Sequence, residues 1–262
     1  NSVQMSQVTV PIEQIKRMPM LLGEADVLKS LQLLPGVKAG DEGTSGIYVR
    51  GGSPDQNLIL LDGIPIYNAS HVGGLFSVFN ADAIRSVTLT KGGFPARFGG
   101  RLSSVLEIAT KEGNKKAWHA DGTMGLVSSK LLVEGPIIKD KMSVMLSLRR
   151  TYLDLIISPF LNLSPGNKLN LNFYDINTKL NYKINDKHNL FLSVYKGRDN
   201  FGNSFDGSTN TSVSTSASGF CFGNLMTAFR WNYKINNRLF VNTTASYTEY
   251  NFNYINTNIS TF

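Results

Sequence analysis

The chain has 262 residues, a formal net charge of +7, and 42% apolar and 17% charged residues. This composition supports a buried core, and because the cations are scattered we expect no nucleic-acid partner. Cys221 is the only cysteine, which excludes an internal disulfide and a cysteine-based zinc site. The first ten residues, NSVQMSQVTV, have no signal-peptide pattern, and no apolar run is long enough for a membrane helix.

The first part of the chain predicts mixed helices and strands. In GEADVLKSLQLLPGV, Leu28, Leu31 and Leu34 have helical spacing, and Pro35-Gly36 should end that helix. A strand is expected over Ile47–Val49, just before Arg50 and two glycines. The apolar runs Leu58–Leu61 and Ile64–Tyr67 flank Asp62-Gly63, which predicts a tight hairpin. Two more strands are expected in RSVTLTK and LSSVLEIATK.

After residue 113 the chain predicts about seven antiparallel strands. From Tyr174 to Ile184, and again from Leu225 to Ile235, apolar and polar side chains alternate over about the 9–11 residues that a tilted strand needs to cross a bilayer. Short turns with near-identical framing (YKINDKHNL, YKINNRLF) alternate with expected long loops over 151–170 and 202–219. Aromatic residues beside the short turns would form a girdle: Tyr182, Phe191, Trp231 and Tyr233.

This pattern favours an outer-membrane barrel over a soluble β-meander. Seven strands cannot enclose a separate domain, because single-chain bacterial barrels have even strand numbers and at least eight strands. We therefore expect the sequence to be part of a longer polypeptide.

Three segments in one order, ADVLKSLQLLPGV, IYVRGGSPDQNLILLDGIPI and IRSVTLTKGGFPARFGGRLSSVLEIATKEG, resemble the plug domain of TonB-dependent outer-membrane receptors. The resemblance implies an α+β plug domain over residues 1–113. Antiparallel transmembrane β-barrel strands (a partial, all-β barrel) would follow over 114–262. It implies import of a scarce solute, such as a glycan, peptide, siderophore or cobalamin, by energy-coupled plug displacement in a Gram-negative outer membrane.

The resemblance also implies partners: outer-membrane lipid, an inner-membrane energy-transducing protein of the TonB type, the imported solute and, optionally, a surface lipoprotein lid. The family's N-terminal energy-coupling box is not visible before Val8. In the family, two plug arginines pair with barrel glutamates and lock the plug. Arg50 matches the first, whereas Lys91 stands at the second and cannot form arginine's bidentate fork. The partner glutamates would fall beyond Phe262.

The sequence shows no catalytic constellation, so we expect no enzyme, no cofactor and no metal site. His119 and Asp121 fit a polar lumen face, and so does Asp175. The family's apical plug loops, which contact substrate, correspond to residues 40–46, 51–57 and 67–74. The polar or aromatic groups offered there are Asp41, Glu42, Ser53, Asp55, Gln56, Tyr67, Asn68, Ser70 and His71.

Two other functions stay open from the sequence. One is a non-transporting outer-membrane subunit whose plug-like domain and partial barrel assemble with other chains. The other is a soluble, β-rich surface-binding protein. Apolar residues that should face outward, such as Leu180 and Phe229, distinguish these alternatives, since a charge at Leu180 would block membrane assembly but only mildly affect a soluble sheet.

Overall fold

A computed structural model describes residues 7–18, 24–40, 46–160, 166–208 and 213–261. The part before residue 113, called the plug below, contains short strands and two helices among its described residues. These elements are β1 (Gln7–Pro11), α1 (Ile12–Arg17), α2 (Val27–Leu31), β2 (Val37–Ala39), β3 (Ile47–Val49), β4 (Asn57–Leu61), β5 (Ile64–Pro65), β6 (Ser70–His71), β7 (Phe76–Ser77), β8 (Ile84–Thr90) and β9 (Ser104–Thr110).

The part after residue 113 is one antiparallel sheet, called the wall below. Its elements are β10 (His119–Met124), β11 (Ser128–Ile138), β12 (Met142–Thr151), α3 (Leu153–Ile157), β13 (Asn167–Lys183), β14 (His188–Ser208), β15 (Val213–Lys234) and β16 (Phe240–Thr261). The seven strands lie in chain order, β10 to β16. The described part of the chain holds no helix with the length and apolar character needed to cross a membrane.

The plug is built around a sheet with the order β1-β8-β9-β4-β5, in which β4 runs parallel to β9. The predicted hairpin is confirmed: Leu61 pairs with Ile64, and Asp62 and Gly63 have φ of 50° and 85°. Both values suit the Asp-Gly pair, because Asp tolerates the left-handed region and Gly adopts it freely. The two strands predicted after it are also confirmed, as β8 and β9.

The predicted helix is shorter than its apolar spacing indicated. It begins at Val27, where the Asp26 carboxylate accepts a hydrogen bond from the Lys29 amide at 3.0 Å, and it ends at Leu31 rather than Leu34. After Leu31 the chain continues as turns, and Gly36, with φ of 76°, leads directly into β2. Local turn geometry therefore outweighs the apolar spacing.

The alternation predicted for the wall is confirmed. On β13, four polar residues are buried against the plug: Asp175, Asn177, Lys179 and Asn181. Ile176 and Leu180 lie between them on the opposite face. On β15, Met226 and Ala228 join the apolar core of the plug, while Phe229 is 45% exposed on the outside. Beside the plug, β13 therefore presents polar residues inward and apolar residues outward, which is the alternation of a transmembrane barrel strand.

The repeated short turns have the same hydrogen bonds. The Asn185 side chain accepts from the amides of Lys187 and His188, and Asn236 accepts in the same way from Arg238 and Leu239. Beside them, the rings of His188, Trp231 and Tyr233 stack with centroids 4.3–5.8 Å apart. The Asn side chains replace backbone turn bonds, which explains why the motif recurs.

The prediction of a long loop over 202–219 is wrong. β14 continues to Ser208 and β15 begins at Val213, so the described part of this polar segment is strand; residues 209–212 lie outside the described residues. Ser and Thr satisfy the pairing of extended strands as well as they suit loops, and composition alone does not separate the two. Within the other expected loop, 151–170, residues 153–157 form α3, Asn167 begins β13, and 161–165 lie outside the described residues. Leu153 of α3 is buried with Phe76 of the plug and Phe173 of the wall.

Candidate functional site

A buried cluster of charged residues joins the plug to the wall. We call it the plug–wall network: Glu24 and His71 come from the plug, and Lys130, Arg149, Asp175 and Asp199 come from β11, β12, β13 and β14. All six side chains are 11% exposed or less. Charges can be buried to this extent when each is paired and hydrogen-bonded.

Arg149 lies at the centre of the network. Its Nε donates to Asp175 Oδ2 at 2.7 Å, its Nη1 to Glu24 Oε1 at 3.0 Å, and its Nη2 to the Ser77 carbonyl at 2.7 Å. The guanidinium also lies over the Phe173 ring, 5.0 Å from the centroid. One wall residue thus binds a plug carboxylate and a plug carbonyl at once, using the planar donor geometry that only arginine offers.

His71 is enclosed between two wall carboxylates. Its Nδ1 is 2.6 Å from Asp199 Oδ2 and its Nε2 is 2.8 Å from Asp175 Oδ1, while the ring stacks on Phe173 at 4.0 Å. Ionised carboxylates only accept hydrogen bonds, so both ring nitrogens must donate and His71 is an imidazolium. Burial opposes this charge, but Asp175 and Asp199 outweigh it, and the pKa of His71 is raised.

The network is electrically balanced. Burial disfavours the charged form of Glu24, but the charges of Arg149 and Lys130 prevail and lower the pKa of this carboxyl. With Lys130, Arg149 and His71 cationic and Glu24, Asp175 and Asp199 anionic, the positive and negative charges are equal in number. Loss of any member therefore leaves an uncompensated charge in a buried site.

A second buried contact involves the hairpin turn of the plug. Asp62 Oδ1 accepts from Lys179 Nζ of β13 at 2.9 Å, and Oδ2 accepts from Thr110 and Ser193 hydroxyls. Burial opposes its charge, yet Lys179 and Thr110 lower the pKa of Asp62. Arg230 of β15 also donates to the Asp62 carbonyl. Asp62 was predicted to be only a turn residue; it is also an ion-pair partner of the wall.

The two predicted lock residues lie near each other on the plug, where Lys91 is buried and Arg50 is exposed. Lys91 is buried and donates to the Pro35 carbonyl. Arg50 has φ of 49°, and its Nη1 lies 3.4 Å from where a Cβ on Gly92 would stand. Their pairing with barrel glutamates stays a prediction. The plug–wall ion pairs that the described residues show are instead those of Glu24, His71 and Asp62.

Four of the predicted substrate residues line one cleft of about 290 Å³ in the plug: Asp55, Tyr67, Asn68 and Ser70. Tyr67 is 62% exposed, and Ser53 donates to Asp55 at 2.5 Å. Gln56 is half-buried beside this segment, and Asp41 and Glu42 lie outside the described residues. His71 does not fit the expectation of an open loop tip, because its ring is 2% exposed and engaged by the wall.

The arrangement holds surfaces together and has no features of a reaction centre. Among the described residues, no group of His, Cys, Asp and Glu is placed to hold a metal ion. The sequence pattern placed Asp175 and Lys179 on the polar strand face but did not show which residues they contact. Glu24 and Arg149 belong to no motif that marked them as functional residues in the sequence.

A helix-and-sheet plug docked by buried ion pairs onto one antiparallel sheet is the arrangement expected for a plug domain and part of its β-barrel. Residues 2–104 match the TonB-dependent receptor plug domain family. This match covers the plug that the sequence predicted, and the strands that follow it have the predicted architecture of a partial barrel.

Two curated relatives match at 30% identity. The vitamin B12 transporter BtuB of Vibrio vulnificus (strain YJ016) matches over 109 residues, 40% of this chain and 18% of that protein. The ferrienterobactin receptor of Escherichia coli (strain K12) matches over 129 residues, 42% of this chain and 17% of that protein. The match thus spans less than a fifth of either relative. Both are named as a transporter or a receptor, which agrees with the prediction of a non-enzyme.

The fold is similar to that of solved receptors. The siderophore receptor PiuA from Acinetobacter baumannii superposes with a TM-score of 0.61 at 15% identity, over 95% of this chain and 37% of that one. The likeness supports the plug-and-partial-barrel fold class.

Proposed function

We propose that this chain is the plug and first wall strands of an outer-membrane receptor that imports a scarce solute by energy-coupled displacement of the plug. The observation that carries the proposal is the buried, balanced plug–wall network within a chain whose plug matches the TonB-dependent family. The relatives favour transport over the alternative of a non-transporting subunit.

In this proposal the plug–wall network holds the plug against the wall until the plug is displaced. Two plug carboxylates form ion pairs with wall cations: Glu24 pairs with Arg149, and Asp62 pairs with Lys179. An inner-membrane protein of the TonB type, pulling from the periplasmic side, would supply the work to separate these pairs. Outer-membrane lipid would cover the outward apolar face, and a surface lipoprotein lid is a further proposed partner.

The plug would receive its solute at the cleft beside Tyr67 and Asn68, for which an amide, a phenol and hydroxyl groups are available. Small-molecule sites commonly combine apolar walls with a few polar groups in this way. The loop that carries these residues is also fastened to the wall, since Asn224 donates to the Asn68 carbonyl at 2.7 Å. The proposed solute cleft therefore lies next to a hydrogen bond that attaches the plug to the wall.

The test is a reversible tether between plug and wall. Asn80 of the plug donates to Ser147 of β12 at 2.8 Å in a buried contact. We would express the native polypeptide that contains this chain with Asn80→Cys and Ser147→Cys in a Cys221→Ser background. Uptake of cyanocobalamin, ferric enterobactin and maltoheptaose would be measured in cells with and without the energising protein.

We expect uptake of one solute that requires the energising protein, stops when the tether is oxidised and returns on reduction. Each single-cysteine variant is the matched control and should transport normally. Uptake that proceeds through the oxidised tether, or that is equal without the energising protein, contradicts the proposal.

A further inference from the structure

Four phenylalanine rings form a continuous surface on β14, β15 and β16. We call it the aromatic wall: Phe201, Phe220, Phe222 and Phe252. Phe201 and Phe220 stack with centroids 4.8 Å apart, and the rings of Phe220, Phe222 and Phe252 lie 6.1–6.5 Å from one another. Phe201 and Phe252 are 44% and 58% exposed. These four rings take no part in the plug–wall contacts described above.

The strand register places the aromatic wall on the plug side of the sheet. Asp199 is paired directly with Phe222, and Phe222 with Phe252, so the three side chains share one face. That face is the inner one, because Asp199 accepts hydrogen bonds from His71 and from the Val72 amide of the plug. The rings therefore stand over the plug, on the lumen side.

The aromatic wall begins where the plug attachment ends. Asn224, which donates to the Asn68 carbonyl, lies two residues from Phe222 and four from Phe220 on the same face. Four residues of strand span about 13 Å. A solute resting on the rings would thus reach the plug loop that carries Tyr67, which is 62% exposed.

This inner surface carries no free charge in the described residues. Its one ionised group, Asp199, is engaged by His71 and Val72. The neighbouring inner positions toward the far end of the strands are amides and hydroxyls: Asn203, Ser218, Tyr254 and Asn256. The charges of the same strands, such as Lys196 and Glu249, lie on the outer face. In the plug cleft, Asp55 and Arg101 have opposite signs.

We infer that the aromatic wall is a binding surface for an uncharged solute with flat ring faces edged by hydroxyl or amide groups, such as a neutral oligosaccharide or a corrinoid. Aromatic rings cover the apolar face of such a ring, and the surrounding amides and hydroxyls bond its polar edge. An anionic metal chelate would need arginine or lysine partners, which this surface lacks among its described positions. The inference rests on the proposed function and names its substrate class.

The experiment is isothermal titration of the purified native polypeptide in detergent. The probes are maltoheptaose, cellohexaose and cyanocobalamin as neutral ligands and ferric enterobactin as the anionic ligand. The variants are Phe222→Ala and, to keep an apolar residue at the site if alanine impairs folding, Phe222→Leu. The matched control is Phe229→Ala, since Phe229 lies on the same strand but faces outward.

We expect one neutral probe to bind, with an affinity that falls about tenfold in both Phe222 variants and changes less than about twofold in Phe229→Ala. The affinity should change little between low and high salt, because no charge pair forms. Comparison of cyanocobalamin with the two oligosaccharides shows which class of neutral solute is bound.

Three results overturn the inference: binding of ferric enterobactin alone, binding of none of the probes, or neutral binding indifferent to Phe222. These failures are separable from failure of the proposed function. Energy-dependent uptake of ferric enterobactin without neutral binding overturns only the solute class. Neutral binding without energy-dependent uptake overturns only the transport proposal.

Discussion

Replacement of Arg149 by Met should strongly weaken attachment of the plug. Arg149 neutralises Glu24 and Asp175, and its removal changes the net charge of the plug–wall network from zero to −1. Breaking a buried pair in this way costs about 3–5 kcal/mol. We expect the lower end, about 3 kcal/mol, because Glu24 keeps Lys130 at 3.1 Å and Asp175 keeps His71 at 2.8 Å.

The assay is urea unfolding of the plug in the detergent-solubilised native polypeptide. A fluorophore attached through Tyr48→Cys, in a Cys221→Ser background, reports on the plug. Tyr48 is 37% exposed and lies on a plug strand, so the label is accessible. The free energy of plug unfolding follows from linear extrapolation to zero urea.

Two comparisons make the result specific. Arg85→Met removes an exposed pair, with side chains 58% and 36% exposed, and should cost less than about 1 kcal/mol. Glu24→Gln added to Arg149→Met restores neutrality and should recover part of the loss. A loss for Arg149→Met no larger than that for Arg85→Met would refute the reasoning.

Three further changes probe other parts of the structure. Asp62→Asn keeps a side chain that tolerates φ of 50° but removes the charge facing Lys179, and should lower plug stability by about 3 kcal/mol in the same urea assay. His71→Gln should remove a pH dependence: because the pKa of His71 is raised on folding, its stabilisation is full below about pH 6.5 and is lost as pH rises through the raised value. Leu180→Arg should block membrane assembly, because a lipid-facing arginine destabilises a transmembrane barrel by about 2–4 kcal/mol. Assembly is measured as the folded fraction in outer membranes.

Each of these changes has its own control. For Asp62→Asn, adding Lys179→Met should cost little more, and additive losses would contradict the ion pair. If the variant His71→Gln and the parent keep the same stability difference from pH 6 to pH 9, the imidazolium assignment is wrong. Asn170→Arg lies on the same outer strand face, beyond the apolar band, and should assemble normally; equal failure of both arginine variants would argue against a lipid-facing position for Leu180.

Local rules were sufficient to predict much of the fold. The Asp62-Gly63 turn and the two-residue alternation around Leu180 depend on neighbours within a few positions, so a single sequence shows them. Helix length was less predictable, because the turn at Gly36 competes with apolar spacing. The extension of β14 and β15 was missed because Ser and Thr occur in both loops and strands.

The plug–wall network could not be predicted in the same way. His71 meets Asp199 across 128 positions of sequence, and Arg149 meets Glu24 across 125. Alternation shows that Asp175 faces inward but not which plug residue it meets. Likewise, a histidine in a glycine-bearing loop reads as exposed, and only the docked wall shows that it is buried.

The strand order of the plug determines how a pull would travel through it. β1 is at one edge of the sheet and is held by five residue pairs to β8, whereas the hairpin that carries Asp62 is at the opposite edge. In the proposed function, a pull on β1 would load the β1–β8 pairs first, because β8, β9 and β4 separate this edge from the Asp62–Lys179 pair. We expect separation of these five edge pairs to precede separation of the buried charges.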